Sequence, residues 1–389
     1  MRKILAVVSS CALLAGCATT VTGTPEADPS GLASMLRTGS FATEKRVIPA
    51  STEATGKMQE GRRMTELFPP LTTLDPTFQY HGHSGVGALE SGEASVGSIF
   101  GSEVAPVFAG REVGAMVGAN DSKPAPATSS KNVRGATVAL LRMPSEQAAT
   151  AAATDNRLMT PSSNKDNPAK IPTTVPGYGS STAYTQDWGS SGKETVAFVA
   201  HKQYVIGFYT EATPNQIAGY LDPLTKAVDG FAPTPVDEFT TLPSDKDGIA
   251  SLTLPPSNGD RDGWASAKAA IWDQDHLTTD LKAFTDAGVD IVGYGANQVY
   301  RARDATGAAL LRDRFMAEAR DSYAEVKAIA VPGVPDARCM NIKLYSNLDQ
   351  HAIYCLLAVG RYMSEYSTNQ QEEAIQATSA EYLIFKGAK

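Results

Sequence analysis

Val199-Ala200-His201-Lys202-Gln203-Tyr204-Val205 and Leu357-Ala358-Val359-Gly360-Arg361-Tyr362-Met363 read alike, each an apolar strand end, a short polar reversal and a return through tyrosine. The first stretch sits in a hairpin, Thr195 to His201 returning as Tyr204 to Thr210, because apolar strand-length runs flank a two-residue reversal. Working outward, both copies show the same order of strand, Ala-rich helix, hairpin and helix. In the first copy these are a strand at 136–142, a helix opening at Pro144-Ser145-Glu146, the hairpin, and a helix from Pro214 to Val228. In the second they are a strand pair at 291–303 and a helix from Ala308 to Tyr323 with Leu311, Phe315 and Ala319 on one face. The hairpin and a last helix over 370–385 follow. The repeat predicts a diverged duplication and an α+β fold of two tandem domains, each an antiparallel sheet with helices packed on one face. The first domain is expected over 61–233 and the second over 263–389, joined by a linker at 234–262 crowded with Pro, Asp, Gly and Ser. Helices are also expected at 264–272 and 277–287, and surface loops at 119–134 and 160–180.

The chain starts with two positive charges, Arg2 and Lys3, followed by an apolar run through Leu14 and then Leu14-Ala15-Gly16-Cys17. Charged start, short apolar core and small-residue site are the parts of a signal peptide over 1–16. The run is shorter than the about 20 residues a spanning helix needs. The final four residues resemble a bacterial lipobox, which implies cleavage before Cys17 and a diacylglyceryl thioether on its sulfur. Two acyl chains anchor stably where one does not. Residues 17–60, rich in Ala, Thr, Ser, Pro and Gly, are expected as a lipidated start and flexible tether, about 40 residues reaching about 35 Å. The expected location is the outer face of the cytoplasmic membrane in the cell envelope, with the lipid as the membrane contact.

Removal of Arg2 and Lys3 with the signal would change the net charge from -8 to -10. An acidic chain lacks the electrostatic footprint for phosphate backbones, which argues against a nucleic-acid partner. Of four cysteines, Cys11 leaves with the signal and Cys17 takes lipid, so Cys339 and Cys355 remain for one disulfide. Strands at 339–345 and 350–355 around Ser346-Asn347-Leu348-Asp349 would bring the two opposite each other. A redox-active dithiol would want Cys-x-x-Cys or a thiolate-stabilising site, and neither is present.

With the lipobox, Gly61-Arg62-Arg63-Met64, Leu140-Leu141-Arg142-Met143-Pro144, Gly360-Arg361-Tyr362 beside the cysteine pair and Ala380-Glu381-Tyr382-Leu383 are similar to motifs of a family of uncharacterised two-domain lipoproteins from mycobacteria and related actinobacteria. That resemblance implies an actinobacterial cell envelope and supplies no catalytic residues or cofactor. A more distant similarity of layout is to the extracellular sensor domains of mycobacterial kinases, and fold does not fix function.

Candidate chemistry is sparse. His81 and His83, spaced by one, would share a strand face and offer a metal pair, the alternative being an exposed Gly/Ser turn. Asp260 and Asp262 lie in Asn258-Gly259-Asp260-Arg261-Asp262-Gly263, half of a calcium loop whose twelfth position is Ala269 instead of Glu. Asp273, Asp275, His276 and Asp280 cluster before the 277–287 helix, with Asp275 expected as its N-cap. Tyr178, Tyr184 and Trp188 sit in or beside a loop, where aromatics serve recognition or pin the loop down. Gly-x-Ser-x-Gly, His-Glu-x-x-His and phosphate-loop patterns are missing. The expectation is a non-enzymatic envelope protein that binds a small-molecule or protein ligand, with no cofactor and no metal; the alternatives are an envelope hydrolase whose triad is assembled across the fold, or a structural or assembly lipoprotein.

Overall fold

Both hairpins that open the sequence reading turn through a residue in the left-handed region, Lys202 at φ 50° and Gly360 at φ 57°, the same position of the repeated stretch. A computed structural model describes residues 34–82, 87–89, 93–123, 133–256, 262–323, 325–344 and 349–388. The first sheet comprises β1 (Tyr80–His81), β2 (Gly87–Leu89), β3 (Val113–Asn120), β4 (Gly135–Arg142), β5 (Ile171–Thr173), β6 (Ser181–Asp187), β7 (Lys193–His201) and β8 (Tyr204–Thr210). The second comprises β9 (Gly263–Ser266), β10 (Ile291–Tyr294), β11 (Gln298–Arg301), β12 (Val326–Ile329), β13 (Ala337–Lys343), β14 (His351–Val359) and β15 (Tyr362–Thr368). Every pairing is antiparallel. The strand order is β5-β6-β7-β8-β4-β3-β1 in the first sheet, with β2 also on β3, and β12-β13-β14-β15-β11-β10-β9 in the second. The orders superpose strand for strand, with each hairpin in the same place, which is the topology a duplication requires.

The helices are α1 (Glu53–Thr65), α2 (Glu93–Phe100), α3 (Glu146–Ala153), α4 (Pro214–Asp229), α5 (Ala267–Ala270), α6 (Leu277–Ala287), α7 (Ala305–Ser322) and α8 (Gln371–Lys386). They cover both faces of each sheet and not one as expected. Ala149 and Ala152 of α3 share a core with Leu141, Phe198 and Val205. Ile217, Tyr220 and Leu224 of α4 share another with Leu140, Ile206 and Phe208. In the second domain, Leu311 and Phe315 of α7 join Met340, Leu356 and Met363, while Ile375 and Ile384 of α8 join Val299, Cys355 and Leu357. The cause lies in the central strands, which are buried at consecutive positions such as Val138 to Leu141 and Val196 to Val199. Strands apolar on both sides need cover on both sides.

Two connecting segments depart from expectation. In the proposed tether over 17–60, Leu36 and Phe41 pack against the second-domain core and Arg46 forks onto Asp262 at 2.9 and 2.7 Å. α1 then begins at Glu53, its N-cap Thr52 exchanging hydrogen bonds with Thr55 in a capping box. Its buried side is made of Gly56, Gln59, Glu60, Gly61, Met64 and Thr65, with so few apolar residues that no periodicity announces it. Gly56 allows the close approach: a Cβ there would lie 1.9 Å from the Phe239 carbonyl oxygen. The linker expected over 234–262 likewise buries Phe239, Ile249, Leu252 and Leu254. The expected helix at 264–272 starts as β9, and Ser266 then caps the short α5. Residues 160–180, read as loop, include β5. One apolar cluster runs through both domains, from Phe68 and Tyr220 to Trp272 and Phe315, so the two sheets meet over a shared core. No helix of the described residues is long and apolar enough to cross a membrane.

Candidate functional site

The recurring motifs turn out to be joints. Glu60 is fully buried and accepts from Arg63 at 2.6 Å and from the Thr234 amide at 2.9 Å. Arg142 reaches Glu112 at 2.7 Å and the Thr234 carbonyl at 2.8 Å, with Glu60 3.4 Å away. A buried charge is tolerable only when paired and hydrogen-bonded in this way, so these motif residues clamp α1 and residue 234 to the first sheet. In the second domain Glu381 is 1% exposed and accepts from Ser364 at 2.8 Å and from the Asn297 amide. Asn297 in turn accepts the Leu254 N–H at 2.6 Å. Burial pushes the Glu381 carboxyl up to about 8, against the opposing Ser364 hydrogen bond.

Between the domains lies an apolar pocket of about 280 Å³. Phe68, Leu71 and Phe78 come from the first domain, and from the second come Ile271 and Trp272, in the 3-10 turn that follows α5, and Leu281 of α6. Leu281 is 44% exposed at the mouth. Lys268 is the one charged residue in the lining, and it is exposed.

A second cavity, of about 250 Å³, opens between α6, α7 and the sheet of the second domain. Asp273, Asp275, Asp280, Glu318 and Glu365 line it beside Phe315, Ile342, Leu344 and Tyr354. Burial raises the Asp280 carboxyl, and burial followed by the neighbouring Asp280 charge raises Glu318. Burial also pushes Glu365 up to about 7, although the Tyr300 hydroxyl donates to it at 3.1 Å. His276 is lowered, by burial first and then by the charge of Lys123. Its Nε2 is buried without a hydrogen-bond partner, 3.6 Å from Glu318.

The residues singled out from the sequence fare unequally. Cys339 and Cys355 are disulfide-bonded and directly opposed on β13 and β14. Cys17, His83 and Asp260 lie outside the described residues. His81 sits on the short edge strand β1, its N–H donating to the Asp275 carbonyl at 3.0 Å and its own carbonyl accepting from Asn120 at 2.7 Å. Its Nε2 is buried without a partner, and among the described residues no group of three or more His, Cys, Asp or Glu is placed to hold a metal ion. Asp262 is taken by Arg46, which removes it from the calcium reading. Asp275 does not cap α6: His276 holds that position, and Asp280 accepts the His276 N–H at 3.0 Å. Tyr178 is tied to Asp222 at 2.9 Å and Trp188 to Glu194 at 2.6 Å, as loop-pinning aromatics would be. Glu318 and Glu365 were not anticipated. Their signal was present in register: Glu318 continues the Leu311, Phe315, Ala319 face of α7, and Glu365 is two residues from buried Met363 on β15.

Family models divide along the same boundary as the sheets. The N-terminal model of the domain of unknown function DUF7373 matches residues 47–244, and its C-terminal model matches 253–387. The chain belongs to the DUF7373 family. The N-terminal family domain therefore includes the whole of α1, in keeping with the burial of Glu60, and the C-terminal one carries both the disulfide and the carboxyl cavity. No curated protein matches the chain significantly. Among solved structures, the extracellular domain of PknH from Mycobacterium tuberculosis is similar at 12% identity and a TM-score of 0.28, covering 44% of this chain and 97% of that one.

Proposed function

We propose that this DUF7373 protein is a lipid-anchored envelope protein that binds an amphiphile, a fatty-acid-like molecule with an anionic head, in the pocket between its domains. The observation that carries the reading is the pocket itself: apolar residues of both domains converge on one cavity, and the single charge in its lining, Lys268, stands at the surface. Apolar pockets with a few placed polar groups are the usual form of small-ligand sites, and domain junctions their usual place. An acyl chain would cover the exposed apolar surface of Leu281, and a carboxylate would face the lysine. The Arg2-Lys3 start, apolar run and Leu14-Ala15-Gly16-Cys17 support export and a lipid on Cys17, and the Cys339–Cys355 disulfide suits an oxidising compartment.

Native mass spectrometry of the Cys17→Ser chain, expressed in a lipoprotein-processing bacterium, tests both halves. The wild-type chain is expected with the membranes and Cys17→Ser in the soluble fraction, carrying one amphiphile adduct. Cys17→Ser protein still sedimenting with membranes would remove the anchor, and an adduct-free spectrum would remove the ligand.

A further inference from the structure

The two domains place a cavity at the same point of their common topology. In the first domain a cavity of about 320 Å³ is lined by Gln186, Trp188 and Tyr209 together with Glu103 and Tyr184. The hairpin equivalence sets Val199 against Leu357, so that Tyr209 corresponds to Ser367, and the strand registers then set Gln186 against Ile342. Trp188 corresponds to Leu344, since their N–H groups bond to Gly192 and Gln350, themselves equivalent. Ile342, Leu344 and Ser367 all line the second-domain cavity.

What differs is the charge. Beside the first cavity the chain supplies its own ammonium: Lys170, 4% exposed in its side chain, lies 3.1 Å from Glu103 and over the Tyr184 ring at 4.8 Å. Carboxylate and aromatic face are the two partners that stabilise a desolvated ammonium. The second cavity has more carboxyls and no lysine or arginine in its lining. Lys123 is paired with Asp321, and Arg62, set over the Tyr294 ring and on the Asp262 carbonyl, faces Asp273 at the edge of the cavity and leaves the other carboxyls to themselves. His276, 9% exposed, keeps its Nε2 buried without a hydrogen-bond partner, 3.6 Å from Glu318.

We propose that the second-domain cavity binds an organic ammonium group, with Asp275, Asp280, Glu318 and Glu365 around the charge and Phe315, Ile342 and Leu344 against the alkyl part. The ligand would bring to this cavity the ammonium that Lys170 supplies beside the first. This site is separate from the inter-domain pocket and does not depend on that reading.

Calorimetric titration of the Cys17→Ser chain with hexylammonium, and with hexanol as its uncharged counterpart, tests the proposal. Hexylammonium is expected to bind at least about tenfold tighter than hexanol. Glu365→Gln and Ser322→Trp should each weaken it by about tenfold or more, the latter by filling the mouth while leaving every carboxyl in place. Equal affinities for amine and alcohol, no hexylammonium binding, or full affinity in Ser322→Trp would overturn it. Should Glu365→Gln fail to fold, the Ser322→Trp and hexanol comparisons decide alone.

Discussion

Glu381 shows how a single side chain can carry both structure and a pH signature. It lies in the Ala380-Glu381-Tyr382-Leu383 stretch, and its partners are Ser364 and Asn297 inside the domain. Its folded carboxyl titrates at about 8 and that of Glu365 at about 7, both raised by burial from an ordinary value of 4.5. A carboxyl raised on folding holds its proton more tightly in the native state. The stability it contributes is complete below its unfolded pKa and is lost as pH rises through the folded one. Thermal melts should therefore show a midpoint that declines between pH 5 and pH 9, both about the limits set by these groups. Glu381→Gln, which cannot ionise, should flatten that decline. A midpoint that rises over this range, or an unchanged slope in Glu381→Gln, would contradict the assignment. The sequence reading found Asp275, His276 and Asp280 and assigned them to a helix cap. It missed their partners because Glu318 and Glu365 are 38 and 85 residues beyond Asp280, and only α7 and β15 bring them to the same cavity.

At the scale of elements, the hairpins were legible and α1 was not, for one physical reason. Strands such as Val196 to Val199 and Leu356 to Leu357 announce their burial by composition. α1 buries glycines, a glutamine and a glutamate, and such a face resembles solvent-exposed chain until its partners are known. β3, Val113–Asn120, was obscured likewise by its Gly and Ala content. The close fit of α1 is testable at Gly56. Gly56→Ala would favour the helix intrinsically by up to about 1 kcal/mol, but the new Cβ meets the Phe239 carbonyl at 1.9 Å. Net destabilisation of about 2 kcal/mol or more is expected in urea unfolding. A stabilised Gly56→Ala would mean that α1 does not dock on residue 239 as described.

For the whole molecule, duplication explains more than the fold class. It sets the same strand order twice, puts a cavity at equivalent positions, and leaves the second domain without the internal lysine of the first. The shared core adds what no single domain holds, an apolar pocket whose wall is contributed by both. The residues of that pocket were not legible in the sequence, because they come from a segment around Phe68 to Phe78 and from the stretch between α5 and α6, where no periodicity points across the junction. The central claim, an amphiphile held there, is tested most directly by titrating the Cys17→Ser chain with dodecanoate while following Trp272 fluorescence, with Trp272→Phe to assign the signal. The account predicts saturable quenching, weakened at least about tenfold by Leu281→Asp and also weakened by Lys268→Glu. Dodecanoate that leaves Trp272 fluorescence unchanged, or binds Leu281→Asp as tightly as the parent, would contradict it.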